Sequence, residues 1–235
     1  MVRRSPPRVV VATVVVAWVL TVGAQVAAAV WGARGQEPVP PAPTRVERPE
    51  GCGDETCRVL ASTVVNGMSV ELLADSRGDA GRLRAGGPVS GTVTTTRITG
   101  DGVRLNHDSL RCAASATPVC LVRGPRDGGM AGEVHVWRGD SWEAVGEVYF
   151  SDLGVLVLDD VVGTAMPEVL VARETCTDRD GSCRELRAVA EVLTLDGARA
   201  GCTRARRSPG ELPGWPDVEV GRTDLTTCPD GLDPR

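Results

Sequence analysis

The chain has 235 residues, 42% of them apolar and 24% charged but only 3% aromatic, so its core must be built from Val, Leu, Ala and five Trp. Every basic residue is arginine. Three of the 26 lie in the first eight positions, ahead of any acid, so the remainder sets 23 arginines against 31 carboxylates, a net of −8. So acidic a body excludes a nucleic-acid binder, which needs a basic stripe.

Residues 1–8 carry Arg3, Arg4 and Arg8 and read as a cytoplasmic stub. Residues 9–30 contain no charge. At a rise of ~1.5 Å per residue, as a helix they reach ~33 Å, enough to cross a hydrocarbon core. The basic flank predicts one N-terminal transmembrane helix with its N-terminus in the cytoplasm and the bulk of the chain exported. The competing reading is a cleaved signal peptide, for which Ala27, Ala28 and Ala29 supply the small residues at a cleavage site. Residues 31–50 hold Pro38, Pro40, Pro41, Pro43 and Pro49. They predict an extended, semi-rigid linker between membrane and domain.

All eight cysteines follow the linker. An even number in an exported segment reads as four disulfides. Eight cysteines allow 105 pairings. Local spacing favours Cys52–Cys57, Cys112–Cys120, Cys176–Cys183 and Cys202–Cys228.

From residue 51 to 235 the pattern is short strands and turns. Asn66-Gly67 sits between 57–65 and 68–74, a two-residue turn between β-branched runs. Gly100-Asp101 predicts a second hairpin, joining 91–99 to 102–105. Cys112 and Cys120 bracket a third, with its outgoing strand at 119–123. Gly139-Asp140 joins 132–138 to 141–148; counting outward from that turn sets Trp137 opposite Trp142 at a non-hydrogen-bonded pair. Asp196-Gly197 closes a hairpin with strands near 187–195 and 198–204. About thirteen strands and no long amphipathic helix predict an all-β domain.

Residues 157–171 read V-L-D-D-V-V-G-T-A-M-P-E-V-L-V. With the hairpin before them, they resemble one degenerate copy of the FG-GAP (VCBS-type) repeat of integrin-like β-propellers, over residues 132–174. Asp160, Gly163, Pro167, Glu168 and the strand 169–171 carry the likeness, and 74–83 has a fainter similar cast. The resemblance implies a small or partial β-propeller-like domain; a β-sandwich is the alternative. It also implies weak calcium candidates at Asp160 and Glu168. The departures are Val162 and Thr164, which stand where the family places oxygen ligands, and hard cations need six or more such oxygens.

Catalytic chemistry is sparse. His107 sits in a polar N-H-D-S turn. His135 alternates with Val134 and Val136 and should face away from them. Asp159 and Asp160 are adjacent, so on a strand they point apart. Arg77-Gly78-Asp79 spells a tripeptide that integrins recognise, and a plain turn accounts for it. No nucleophile-elbow, zincin or phosphate-loop motif occurs. These readings predict a non-enzymatic, membrane-anchored extracytoplasmic domain of the bacterial envelope, without a cofactor, that binds or scaffolds an envelope protein or glycan. The alternative is an envelope hydrolase or carbohydrate-active protein with a carboxylate site that no motif marks. The missing lysine points to a GC-rich, actinobacterial-type genome.

Overall fold

The computed structural model describes residues 51–87, 91–176, 183, 185–229 and 232. The expected membrane segment 9–30 and linker 31–50 lie outside these residues. Among the described residues, no helix is long and apolar enough to cross a membrane. All of them belong to one compact unit, Arg48–Arg235.

The unit is all-β. A small hairpin, β1 (Gly51–Cys52) and β2 (Glu55–Thr56), leads in. Three four-stranded sheets come after it, each antiparallel and each with its strands in chain order. The first is β3 (Arg58–Val65), β4 (Met68–Ala74), β5 (Gly81–Ala85) and β6 (Thr92–Thr95). The second is β7 (Leu110–Ala113), β8 (Val119–Arg126), β9 (Gly129–Arg138) and β10 (Ser141–Ser151). The third is β11 (Leu156–Asp159), β12 (Glu168–Cys176), β13 (Leu186–Leu193) and β14 (Arg199–Cys202). The chain thus makes three consecutive meanders, and β7 lies against β3 on one side and β11 on the other.

Local turn chemistry explains most of the hairpins. Asn66 (φ 49°) and Gly67 (φ 79°) occupy the left-handed region between paired Val65 and Met68, as a two-residue hairpin turn requires. Trp137 and Trp142 pair across the Gly139-Asp140 turn, with ring centroids 5.3 Å apart and planes at 70°. At Asp196-Gly197, Gly197 N donates to Thr194 O and Thr194 N to Ala198 O, both at 2.8 Å. This loop is longer than a two-residue turn, so its strands stop at Leu193 and restart at Arg199.

The hairpin expected at Gly100-Asp101 does not form. Beyond β6 the chain makes a 3-10 turn, Ile98–Asp101, closed by left-handed Gly102. Burial overrides the local signal: Ile98 is fully enclosed in the core between the first two sheets. Residues 102–105 then run as irregular chain.

The sheets stack through their apolar faces. Val70, Leu72 and Leu83 of the first sheet meet Val122, Ala131 and Trp142 of the second. The other face of the second (Val119, Leu121, Val134, Val136) meets Leu156, Val169 and Val171 of the third. The far face of the third sheet, Leu170, Ala190 and Val192, is covered by Leu212, Val218 and Val220 of the C-terminal segment. Hydroxyls cross between layers: Thr94 Oγ1 donates to Trp142 O (3.0 Å), and Ser151 Oγ to Ala172 O (2.5 Å). All four disulfides form as the spacing predicts, Cys52–Cys57, Cys112–Cys120, Cys176–Cys183 and Cys202–Cys228. Four such bonds in one unit indicate an oxidising, extracytoplasmic environment.

Candidate functional site

A buried charge is costly unless it is paired, so the interior carboxylates and cations locate the places where chemistry is concentrated. Three glutamates lie inside. Glu133, on β9, faces the first sheet and is fully buried. It accepts from the Arg97 amide at 2.8 Å and from Arg97 Nε at 3.1 Å. His135, two residues on and equally buried, places Nε2 3.2 Å from Glu133 Oε1, close but not aligned for a hydrogen bond, and its Nδ1 likewise meets no hydrogen-bond partner among the described residues. Burial raises the Glu133 pKa, but His135 and then the Arg97 donors more than offset it, and the carboxyl titrates below its ordinary range. His135 does face away from Val134 and Val136, as alternation predicts, and it is packed rather than exposed. His107 is exposed beside Asp108, in the expected turn.

Glu168, at the start of β12, closes the loop that precedes it. Its Oε2 accepts from the amides of Val161 (2.9 Å) and Val162 (3.2 Å), and its Oε1 from Thr164 Oγ1 (3.2 Å). Asp160 is exposed, and its own amide donates to Asp159 Oδ1 at 2.9 Å. The two calcium candidates are therefore in different states, one committed to two backbone amides and a threonine hydroxyl and one exposed. In the 74–83 loop, Asp75 Oδ1 takes the amides of Asp79 and Ala80. Gly78 is buried against Leu105, and Arg77 and Asp79 are exposed.

Glu191, on β13, lies between Arg173 Nε (3.2 Å) and Arg199 Nε (2.6 Å). Arg199 also donates to Leu232 O at 2.8 Å. This cluster lines a cleft of about 460 Å3 between the second and third sheets, with Tyr149 and Asp196. Burial, reinforced by the charges of Asp196 and Glu147, pushes the Tyr149 hydroxyl up to about 12. It stays protonated and faces the carbonyl oxygens of Thr194 and Leu195 at 3.3 and 3.2 Å.

A second cleft, of about 520 Å3, opens at the other end of the same inter-sheet seam. The second sheet contributes Arg111, Arg123 and Met130; the facing wall is Val155, Val157, Leu158 and Trp215, with Asp217. Arg111 pairs with Leu121, so Arg123, two residues further along β8, is its diagonal neighbour on one face of the ladder. The Arg123 guanidinium donates to Leu156 O. Burial, then the like charge of Arg111, lowers its pKa; Asp108 and Asp217 act the other way. Among the described residues, no carboxylate lies within ion-pairing distance of Arg123. A third cleft, of about 730 Å3, is lined by Asp101, Asp127, Glu147 and Arg126, three acids against one cation.

Sequence reasoning missed Glu133, Glu191, Arg111 and Arg123. The glutamates were visible as charges inside apolar runs, GEVHVW and AVAEVL, but that both faces of these strands are covered is set by the stacking of the sheets. The arginines carry no comparable signal, since their convergence depends on strand register and on the third sheet.

Fold and site together define a disulfide-stapled, all-β domain of three stacked meanders with clefts at the sheet seams. No family model matches the chain, and neither does any curated protein or solved structure.

Proposed function

We propose that the chain is a non-enzymatic, membrane-anchored binding domain of the bacterial cell envelope. In this reading residues 9–30 hold it to the plasma membrane with the N-terminus in the cytoplasm. Residues 31–50 form the stalk, and the β unit presents its clefts to an envelope protein or glycan. The carrying observation is the pair of open clefts at the seam between the second and third sheets, held in a unit with four disulfides. Rigid walls favour binding, because little ordering is lost on association.

The finer reading of the fold is a partial β-propeller. Its support is the run of three four-stranded meanders with β7 between β3 and β11. The FG-GAP likeness draws on β11, its loop and β12, where Glu168 gathers the loop amides. Calcium is not part of this proposal, since the Glu168 oxygens already accept three donors.

Two measurements test the function. Protease accessibility of a C-terminal tag in intact spheroplasts should place the β unit outside. Cross-linking of the full-length chain in native membranes should capture a reproducible protein or glycan. A protected tag, or no capture that depends on the β unit, would overturn the reading.

A further inference from the structure

Arg123 is a charged side chain with most of its surface withdrawn from water and no carboxylate partner among the described residues. Its bond to Leu156 O satisfies one donor, but a carbonyl brings no counter-charge. A guanidinium presents five N–H donors and cannot discharge itself at physiological pH. A buried cation without a counter-ion is unfavourable, and the usual remedy is a carboxylate nearby. Here a diagonal neighbour on that face is a second cation, Arg111. Arg111 holds its own Leu110 O at 3.0 Å and Asp108 Oδ1 at a long 3.4 Å, where Asp108 is largely solvated and also shared with His107.

The three clefts differ in charge. The cleft at Glu191 is lined by two arginines and three carboxylates, Glu147, Glu191 and Asp196. The cleft at Asp127 is more acidic still. The cleft at Arg123 alone among them has cations in excess, two against Asp217. That excess stands out in a chain whose net charge is −5. The facing wall is apolar and ends in the indole of Trp215. Two guanidiniums on one side and an apolar, aromatic wall on the other suit a ligand with an anionic head and a flat or apolar body.

Resting on the binding-domain reading, we propose that the cleft between Arg111, Arg123 and Trp215 binds the oxyanion group, carboxylate or phosphate, of a small organic ligand. The two arginines hold the head, and Met130, Val157, Leu158 and Trp215 hold the body. Asp217, exposed beside the arginines, accepts from a ligand hydroxyl or amine.

The test uses the full-length chain in neutral detergent, with benzoate and phenyl phosphate as probes and benzamide as the uncharged isostere of benzoate. Tryptophan fluorescence follows binding, the part of the change lost in Trp215→Phe being that of the cleft among the five tryptophans, and circular dichroism checks folding. Both anions should bind saturably at constant ionic strength and benzamide at least tenfold more weakly; which anion binds tighter identifies the head group. Arg111→Gln and Arg123→Gln should each weaken the anions at least tenfold, while Arg126→Gln, in the neighbouring acidic cleft, should leave them unchanged. Arg123→Gln also removes the bond to Leu156 O; should it fail to fold, Arg111→Gln carries the test, since its bonds are only to its own neighbour and to an exposed acid. Equal affinity for benzoate and benzamide, or binding indifferent to Arg111 and Arg123, overturns the assignment. So does the absence of saturable binding by either anion. In each of these cases partner capture in native membranes still decides the binding-domain reading separately.

Discussion

Replacing Glu133 by glutamine keeps the shape of the side chain and removes its charge. The carboxylate is fully buried between the first and second sheets, where it accepts from the Arg97 amide and Arg97 Nε and lies 3.2 Å from the His135 imidazole. Breaking a buried pair by removing one partner costs about 3–5 kcal/mol. Two features reduce that here. Glutamine retains an oxygen for the Arg97 amide, and the Arg97 side chain is 50% exposed and can turn to water. The expected loss is therefore about 2 kcal/mol, or roughly 4–8 °C in Tm for a domain of this size. The pH profile adds a sharper test. The Glu133 pKa is lowered in the folded state. Its ionised form therefore stabilises the fold above the unfolded value of about 4.3, and this contribution is lost as pH falls through the lower folded value. Glu133→Gln should flatten the acid limb of a Tm-versus-pH curve measured by calorimetry between pH 7 and 3. A variant that melts within a degree of the parent at pH 7, with the same acid limb, would refute the reasoning.

Other outcomes rest on single observations. Gly78 has φ 79°, and a Cβ there would lie 2.2 Å from Leu105 O, whereas at Gly67, with the same φ, a Cβ meets open space. Gly67→Ala should cost about 1–2 kcal/mol for the left-handed backbone alone; Gly78→Ala should cost at least about 2 kcal/mol more, because backbone must move, and equal urea midpoints would count against this. Removing Cys202–Cys228, which closes 26 residues, should destabilise by about 3.5 kcal/mol, against about 2 kcal/mol for Cys52–Cys57, which closes 5. Limited proteolysis should then release the C-terminal segment first, and an intact segment would contradict its pinning by this bond. A double-mutant cycle on Trp137 and Trp142 should give a coupling of about 0.5–1.5 kcal/mol for the edge-to-face pair; a value near zero would show that burial alone holds the rings. Millimolar calcium should leave Tm unchanged, and a rise of several degrees would mean that the Asp160 loop rearranges to supply oxygens.

The hairpins were legible because their determinants sit within a few residues of each other. Asn66-Gly67 needs only its own φ values, and Trp137 opposite Trp142 needs only a count from the turn. The cysteine pairs were legible for a related reason: three of the four bonds close loops of eight residues or fewer. What lay beyond reach was set by distant parts of the chain. Gly100-Asp101 looks like a hairpin turn, but Ile98 gains more by entering the core between two sheets than by extending β6. The grouping of strands into three fours depends on which hairpins join, as β4 to β5 and β12 to β13 do across longer connections. Arg111 and Arg123 form a site only after β7 and β8 pair in one register and the third sheet supplies the opposite wall.

The placement of the polar groups bears on how such a stack keeps its order. Three meanders of similar length with Val- and Leu-rich faces have little in their apolar surfaces to say which face meets which, because hydrophobic contact is non-directional. Directional bonds supply that information. Arg97, just after the first sheet, reaches Glu133 in the second; Ser151, at the end of the second, reaches Ala172 O in the third. Glu191 in the third is bridged to Arg199, which in turn holds Leu232 O of the C-terminal segment. Each layer is thus tied to the next by directional hydrogen bonds, and a mispairing of the first two sheets would leave buried Glu133 without its donors. On this argument Glu133→Leu would trade directional for non-directional contact. It should cost less stability than Glu133→Ala, since the leucine fills the space, yet broaden the amide NMR spectrum where the first two sheets meet. Sharp, single resonances there would show that the apolar faces alone suffice to order the sheets.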